Sequence, residues 1–157
     1  MYKKILVAID GSDLANGAFE TALQLAKVEK AELLSLYVVE YPNIYAPGIG
    51  YDLTPVYEAL RAEGDRVATE VNARLKKEGI NGKAWVADKF PSIKPTASQI
   101  QDMADEFQAD LVVLGTHGRS GFKRLMLGSV AEAFIRQSTR PVLLIPQKAT
   151  VEPLTKE

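Results

Sequence analysis

Cysteine is absent from the 157 residues, which rules out disulfides and thiolate metal sites and fits a reducing compartment. An excess of one charge is missing too: 19 Lys and Arg stand against 20 Asp and Glu, for a net charge of −1. No global field draws such a chain to nucleic acid or to an anionic membrane, and neither is expected as a partner. Long apolar runs are also lacking, and none approaches the roughly 20 residues that a membrane-spanning helix needs. The start, Met1-Tyr2-Lys3-Lys4, is basic but leads into neither a long apolar stretch nor a cleavage site. A soluble, cytoplasmic domain is the expectation. Histidine occurs once, as His117, so any histidine-based acid–base chemistry would rest on that residue alone.

What is present describes an ordinary globular chain, 46% apolar and 25% charged, long enough for one sizeable core. The folded domain is expected over residues 1–147, with 148–157 as an exposed tail. Ile5-Leu6-Val7-Ala8-Ile9 is a continuous apolar run, as in a strand buried on both faces, and Asp10-Gly11-Ser12 breaks it. Leu14, Ala18, Ala22 and Leu25 then recur at helical spacing to about residue 29. A second strand reads from Leu33 to Val39, and a Tyr/Pro/Gly-rich surface loop from Tyr41 to Leu53. Thr54-Pro55 has the form of an N-cap with proline in the first turn. Leu60, Gly64, Val67, Val71 and Leu75 make the stripe of a long helix ending near Gly79.

A weaker strand, Lys83 to Ala87, carries Trp85, assigned to the core by default. Thr96 with Gln99 fits a capping box, followed by Ile100, Met103, Ala104 and Phe107 as a buried face. Strand Leu111–Leu114, a glycine-rich loop, a helix from about Val130 to Gln137 and strand Pro141–Ile145 complete the order. Strands alternating with helices imply an α/β fold, a single-domain doubly wound five-stranded parallel sheet with helices on both faces. Ligands of such sheets sit beyond the carboxyl ends of the strands.

Two loops at that edge have suggestive chemistry. After the first strand comes Asp10-Gly11-Ser12; after the fourth comes Gly115-Thr116-His117-Gly118-Arg119-Ser120-Gly121, with Gly128-Ser129 at a fixed distance. Glycines let backbone amides approach a bulky anion, and a helix opening at Ser129 offers unpaired N–H groups and a positive dipole end to phosphate. No Gly-Lys-Ser/Thr ends the loop, so it is not a Walker A loop, and Gly-x-Gly-x-x-Gly is absent. A flexible connection with Ser129 and Glu132 as a capping box is the plain alternative. Asp10 could meet a ribose hydroxyl or a divalent ion, or simply bond nearby amides in an Asp-Gly-Ser turn. Ser12 fits an N-cap. His117 could bond phosphate or lie exposed. Arg119, Lys123 and Arg124 could screen phosphate or form a solvated face.

The pattern Gly115-x-x-Gly118-x9-Gly128-Ser129 resembles the nucleotide-binding motif of the universal stress protein family, in its ATP-binding branch. The opening Lys4-Ile5-Leu6-Val7-Ala8-Ile9-Asp10-Gly11-Ser12 and the close Arg140-Pro141-Val142-Leu143-Leu144-Ile145-Pro146 match the family too, so the likeness spans nearly the whole chain. The long loop Tyr41–Leu53 and the segment Phe90–Pro95 depart from it. The resemblance implies strand order 3-2-1-4-5, an adenine-nucleotide alpha-hydrolase-like architecture, and ATP held across the first and fourth strand ends. It places Ala8 and Asp10 beside the ribose and adenine, and Val38 against adenine. Leu114, Gly115, His117 and Gly118 would wrap the nucleotide, while Gly128, Ser129 and Val130 hold the phosphates; Arg119 joins the binding candidates by its charge. Mg²⁺ or Mn²⁺ accompanying the triphosphate would meet Asp10. A homodimer through edge strand 141–146 is implied as well; uncovered, that apolar strand would be an aggregation risk.

The function expected is that of a nucleotide-dependent regulatory or stress-response protein with little or no turnover, since no general base pairs with a metal-holding acid. Slow ATP hydrolysis or autophosphorylation, at Ser120 or Ser129, is a second reading. A phospho-receiver is a third, with Asp10, Asp88, Thr116 and Lys148 at the ends of strands one, three, four and five; against it, Gly11 stands where a second acid is needed, and Pro146 and Gln147 push Lys148 away from the strand end. An ATP-dependent ligase or sulfur-transfer enzyme is a fourth, although Asp10-Gly11-Ser12-Asp13 does not reproduce the Ser-Gly-Gly-x-Asp-Ser loop such enzymes use.

Overall fold

A computed structural model of the chain describes residues 1–12, 17–42, 50, 52–89, 94–116 and 127–146. The five apolar runs are strands: β1 (Lys4–Ile9), β2 (Glu32–Val38), β3 (Gly82–Ala87), β4 (Leu111–Gly115) and β5 (Val142–Ile145). Between them lie α1 (Ala18–Glu29), α2 (Thr54–Glu78), α3 (Thr96–Phe107) and α4 (Ser129–Gln137). The sheet is parallel throughout, in the order β3-β2-β1-β4-β5. β1 is central: Val7 lies beside Ser35 of β2 on one side and Val113 of β4 on the other. The expected fold and strand order are what the structure shows.

Alternation along the strands divides the core in two. Ile5, Val7 and Ile9 pack with Phe19 and Leu23 of α1 and with Val67, Val71 and Leu75 of α2. Leu6, Leu36, Val112 and Leu114 pack on the opposite face with Ile100 of α3 and Phe134 of α4. Each large side chain buried this way stabilises the fold by about 1.5–3 kcal/mol before chain entropy is counted. Because both faces are covered, β1 and β4 carry apolar residues at successive positions rather than alternating ones.

Two glycines mark close approaches. A Cβ at Gly64 of α2 would stand 3.0 Å from Tyr37 Cδ1 and Val86 Cγ1, so the helix is drawn tightly onto β2 and β3. A Cβ at Gly82 would stand 2.2 Å from the Leu33 carbonyl oxygen. On the outer margin of β3, the Ala84 amide donates to Asn72 Oδ1 of α2 at 2.8 Å. At the other end of the sheet Arg140 ties β5 to α3, donating from Nε to the Ala109 carbonyl at 2.7 Å and pairing with Asp105.

Several local expectations are corrected. Trp85 is not a core residue; it is 47% exposed. β3 is an edge strand, and Trp85 stands on the face opposite Ala84 and Val86, with the Lys83 ammonium 5.6 Å from its ring centroid. The helix caps also differ. Leu53 caps α2, and the Thr54 amide donates to Asp52 Oδ1 at 3.0 Å. Pro95 caps α3, where Thr96 donates its hydroxyl to Glu40 and Gln99 donates to the Lys94 carbonyl, so no capping box forms. Gly128 caps α4, and Glu132 pairs with Arg136 at 2.9 Å instead of reaching back. Gly17 caps α1 with φ 96°, a left-handed geometry that suits glycine, so Ser12 is not the cap. The end of α2 at Gly79, φ 66°, is as expected.

Candidate functional site

The carboxyl ends of β1, β2 and β4 open into a cleft of about 280 Å³. Its two ends differ in chemistry. At one, Gly128 and Ser129 begin α4, whose helical bonding starts with the Glu132 amide donating to the Gly128 carbonyl at 2.9 Å. The amides of Ser129, Val130 and Ala131 therefore have no acceptor within the helix, and they line the cleft together with the positive end of the helix dipole. At the other end, Leu36, Val38, Leu60 and Ile100 supply apolar walls. Such an arrangement can accept a flat apolar group at one side and an anion at the other.

The entry to α4 is fixed by backbone bonding. The Thr116 amide donates to Ile145 O at 2.9 Å, extending the β4–β5 ladder by a residue, and Gly128 N donates to Thr116 O at 2.7 Å. Gly128 has φ −59° and ψ 147°, which any residue can adopt. Its backbone does not call for glycine, so the room that a missing side chain leaves beside the cleft is the remaining physical reason for it.

Asp10 lies in the cleft just past β1. Its Oδ1 accepts the Ser12 amide at 2.9 Å and also the Ser12 hydroxyl. Gly11 between them has φ 84°, a turn that favours glycine. The Asp-Gly-Ser turn given as the plain alternative is thus present, at a residue that lines the cleft. Among the described residues no three His, Asp or Glu side chains gather as a metal site.

Of the residues named from sequence, Ala8, Asp10 and Val38 line the cleft, as do Leu114 and Gly115 from β4 and Gly128, Ser129 and Val130 from α4. His117, Gly118 and Arg119 lie outside the described residues, as do Ser120, Lys123, Arg124 and Lys148. Sequence reading missed Glu40 and Thr96, which face each other at the apolar end; Thr96 Oγ1 donates to Glu40 Oε1 at 2.7 Å. Glu40 had a signal, since it follows Val38 by two residues and so falls on the same side of an extended chain. Thr96 was hidden by its fit to a capping box.

A phospho-receiver geometry is not built. Such domains use a doubly wound order in which β3 lies beside β1, whereas here β2 separates them. Asp88 instead accepts a hydrogen bond from Tyr41 Oη at 2.8 Å and pairs with Arg61 at 3.0 Å. Burial, and then the bond to Asp88, push the Tyr41 hydroxyl up to about 12. Tyr41 and Tyr57 stack edge to face, 5.2 Å between centroids, fastening the start of α2 beside the cleft.

The family model described as "Universal stress protein family" matches residues 1–146. A universal stress protein of Methanocaldococcus jannaschii is 34% identical over 147 residues, 92% of this chain and 82% of its own length. A crystal structure of a universal stress protein family member from Burkholderia pseudomallei superimposes with a TM-score of 0.74 at 35% identity, covering 92% of this chain and 96% of that one. Another solved universal stress protein, in complex with cAMP, has a TM-score of 0.61 at 26% identity, with coverage of 92% and 97%.

Proposed function

Since the chain belongs to the universal stress protein family, we propose that its cleft binds an adenine nucleotide, ATP, and that occupancy rather than turnover is its output, in a regulatory or stress-response role. The observation that carries this reading is the opening of α4 at Gly128-Ser129 into the same cleft as Asp10 and Val38. The solved relative in complex with cAMP supports an adenine ligand. β2 and β4 flank β1, so their ends stand two strand spacings apart, about 10 Å, which suits a base at one and phosphates at the other.

In this reading Val38 meets the base, Ala8 and Asp10 the ribose side, and Leu114 and Gly115 the nucleotide's flank. The amides of Ser129 and Val130 bind phosphate, with Gly128 leaving room. His117 and Gly118 are assigned to the nucleotide by the family resemblance, and Arg119 by its charge, as a screen for phosphate. Mg²⁺ or Mn²⁺ brought with the triphosphate would take Asp10 as a protein ligand, since such ions are held by one or two carboxylates plus phosphate oxygens. Low turnover is proposed because Asp10 and Glu40, the acids of the described cleft, bond to Ser12 and Thr96 and do not form a nucleophile–base–orienter set.

Mass spectrometry of the small molecule released by denaturing purified protein, followed by calorimetry with ATP–Mg²⁺, tests the assignment. An adenine nucleotide in near-equal amount, or saturable binding, is expected. An empty protein that gives no saturation with ATP at millimolar concentration overturns it.

We further propose a cytoplasmic protein folded over residues 1–147 that pairs through strand 141–146 about a twofold axis. β5 bonds to β4 alone among the described strands, and its four residues are only half-buried. Sedimentation should give a dimer; a monomer at micromolar concentration and above would count against it.

A further inference from the structure

Resting on the nucleotide reading above, the geometry points to Glu40 as the residue that selects the base: its carboxylate, oriented by Thr96, accepts from an exocyclic amino group and disfavours a base with a carbonyl there. Leu36, Val38 and Glu40 follow one another at two-residue spacing on the cleft side of β2 and its extension. Val39 packs instead into the core under α1 and α2. The Val39 amide donates to Ala87 O at 3.0 Å, so the chain is still held to the β3 end where Glu40 leaves the strand.

Apolar side chains bind any base by its faces. Discrimination has to come from a polar group at the edge, and an ionised carboxylate is an acceptor only. Adenine carries an amino donor at C6; hypoxanthine and guanine carry a carbonyl acceptor there. An acceptor meeting an acceptor gains no hydrogen bond, which disfavours a base with a carbonyl at that edge. The Thr96 hydroxyl donates to Oε1, which takes one of about four acceptor positions of the carboxylate and limits its rotation. Thr96 is the first residue of α3, so the orientation is tied to a helix rather than to a loop.

The test compares ATP with ITP by calorimetry on the wild-type chain, on Glu40→Gln and on Thr96→Val. Wild type is expected to prefer ATP at least about tenfold, in line with a charge-assisted hydrogen bond gained or lost. A Gln amide can both donate and accept, so Glu40→Gln should cut that preference at least about fivefold, with ITP gaining relative to ATP. Thr96→Val, which leaves the carboxylate present but unsteered, should give an intermediate ratio. Glu40 is exposed, so its replacement is not expected to prevent folding. An unchanged ATP/ITP ratio in Glu40→Gln, with ATP still binding, overturns the assignment of Glu40 and leaves the nucleotide site standing. Equal losses for both ligands also overturn it, because a contact to sugar or phosphate would explain them. Failure of the wild type to bind either nucleotide overturns the nucleotide reading, and this inference with it.

Discussion

The Gly128 amide reaches the Thr116 carbonyl at 2.7 Å. Eleven residues, 117–127, separate the two partners. The bond therefore joins the end of β4 directly to the start of α4 and holds the helix opening beside the sheet edge. Anion binding by helix amides needs that opening fixed, because displacing donors by an ångström forfeits much of a hydrogen bond.

Replacing Gly128 by Val probes room without probing conformation, since φ −59° and ψ 147° lie in a region valine favours. ATP affinity is expected to fall at least about tenfold, or about 1.4 kcal/mol. The thermal midpoint should move little. Unchanged affinity by calorimetry would refute the cradle.

Gly82→Ala should destabilise the protein without touching the cleft. The new Cβ would sit 2.2 Å from the Leu33 carbonyl oxygen, and backbone cannot swing aside as a flexible side chain does. A cost of about 1–3 kcal/mol is expected, read as a lower urea midpoint at unchanged slope. Stability equal to wild type would show that β3 can shift away from β2 freely.

Tyr41 should ionise late, near 12, because burial and the Asp88 carboxylate both favour its neutral form. Its contribution to stability is present below the ordinary tyrosine value of about 10 and fades as pH rises through 12. Absorbance titration at the phenolate band should lose this late component in Tyr41→Phe. Titration of Tyr41 at the ordinary value would contradict the buried contact.

Asp105 gives the opposite dependence. Gln101 and then Arg140 hold its carboxyl below the usual range. A depressed carboxyl adds stability above its unfolded value and loses it as pH falls through the folded one. Asp105→Asn should therefore be less stable than wild type near neutrality, with the gap closing in acid. A gap independent of pH would assign the loss to something other than this charge.

Periodicity was enough for the strands, the helix stripes and the glycine stop of α2, because each repeats over many residues. Strand order rested on family likeness, as no local pattern states which strands are neighbours. Single-residue assignments fared differently. Large aromatics bury area, which points Trp85 inward, yet at an edge strand none of the described helices covers its side and it is half-exposed. Thr96 had the spacing of a cap, but Glu40, 56 positions away in sequence, is the acceptor its hydroxyl meets. For the site, Asp10 and Gly128 could be named from their places at strand and helix ends, and Val38 from the family resemblance. Glu40 is signalled only by its two-residue spacing from Val38, and its partner Thr96 is brought near by tertiary packing.

Asn72 has a consequence beyond its own helix. An extended segment arriving alongside β3 would find the Ala84 donor already satisfied and would have to expel that amide group before adding a rung. Growth of the sheet from molecule to molecule is discouraged on that flank. One polar side chain on α2 thus gives the sheet a guarded margin on the β3 side.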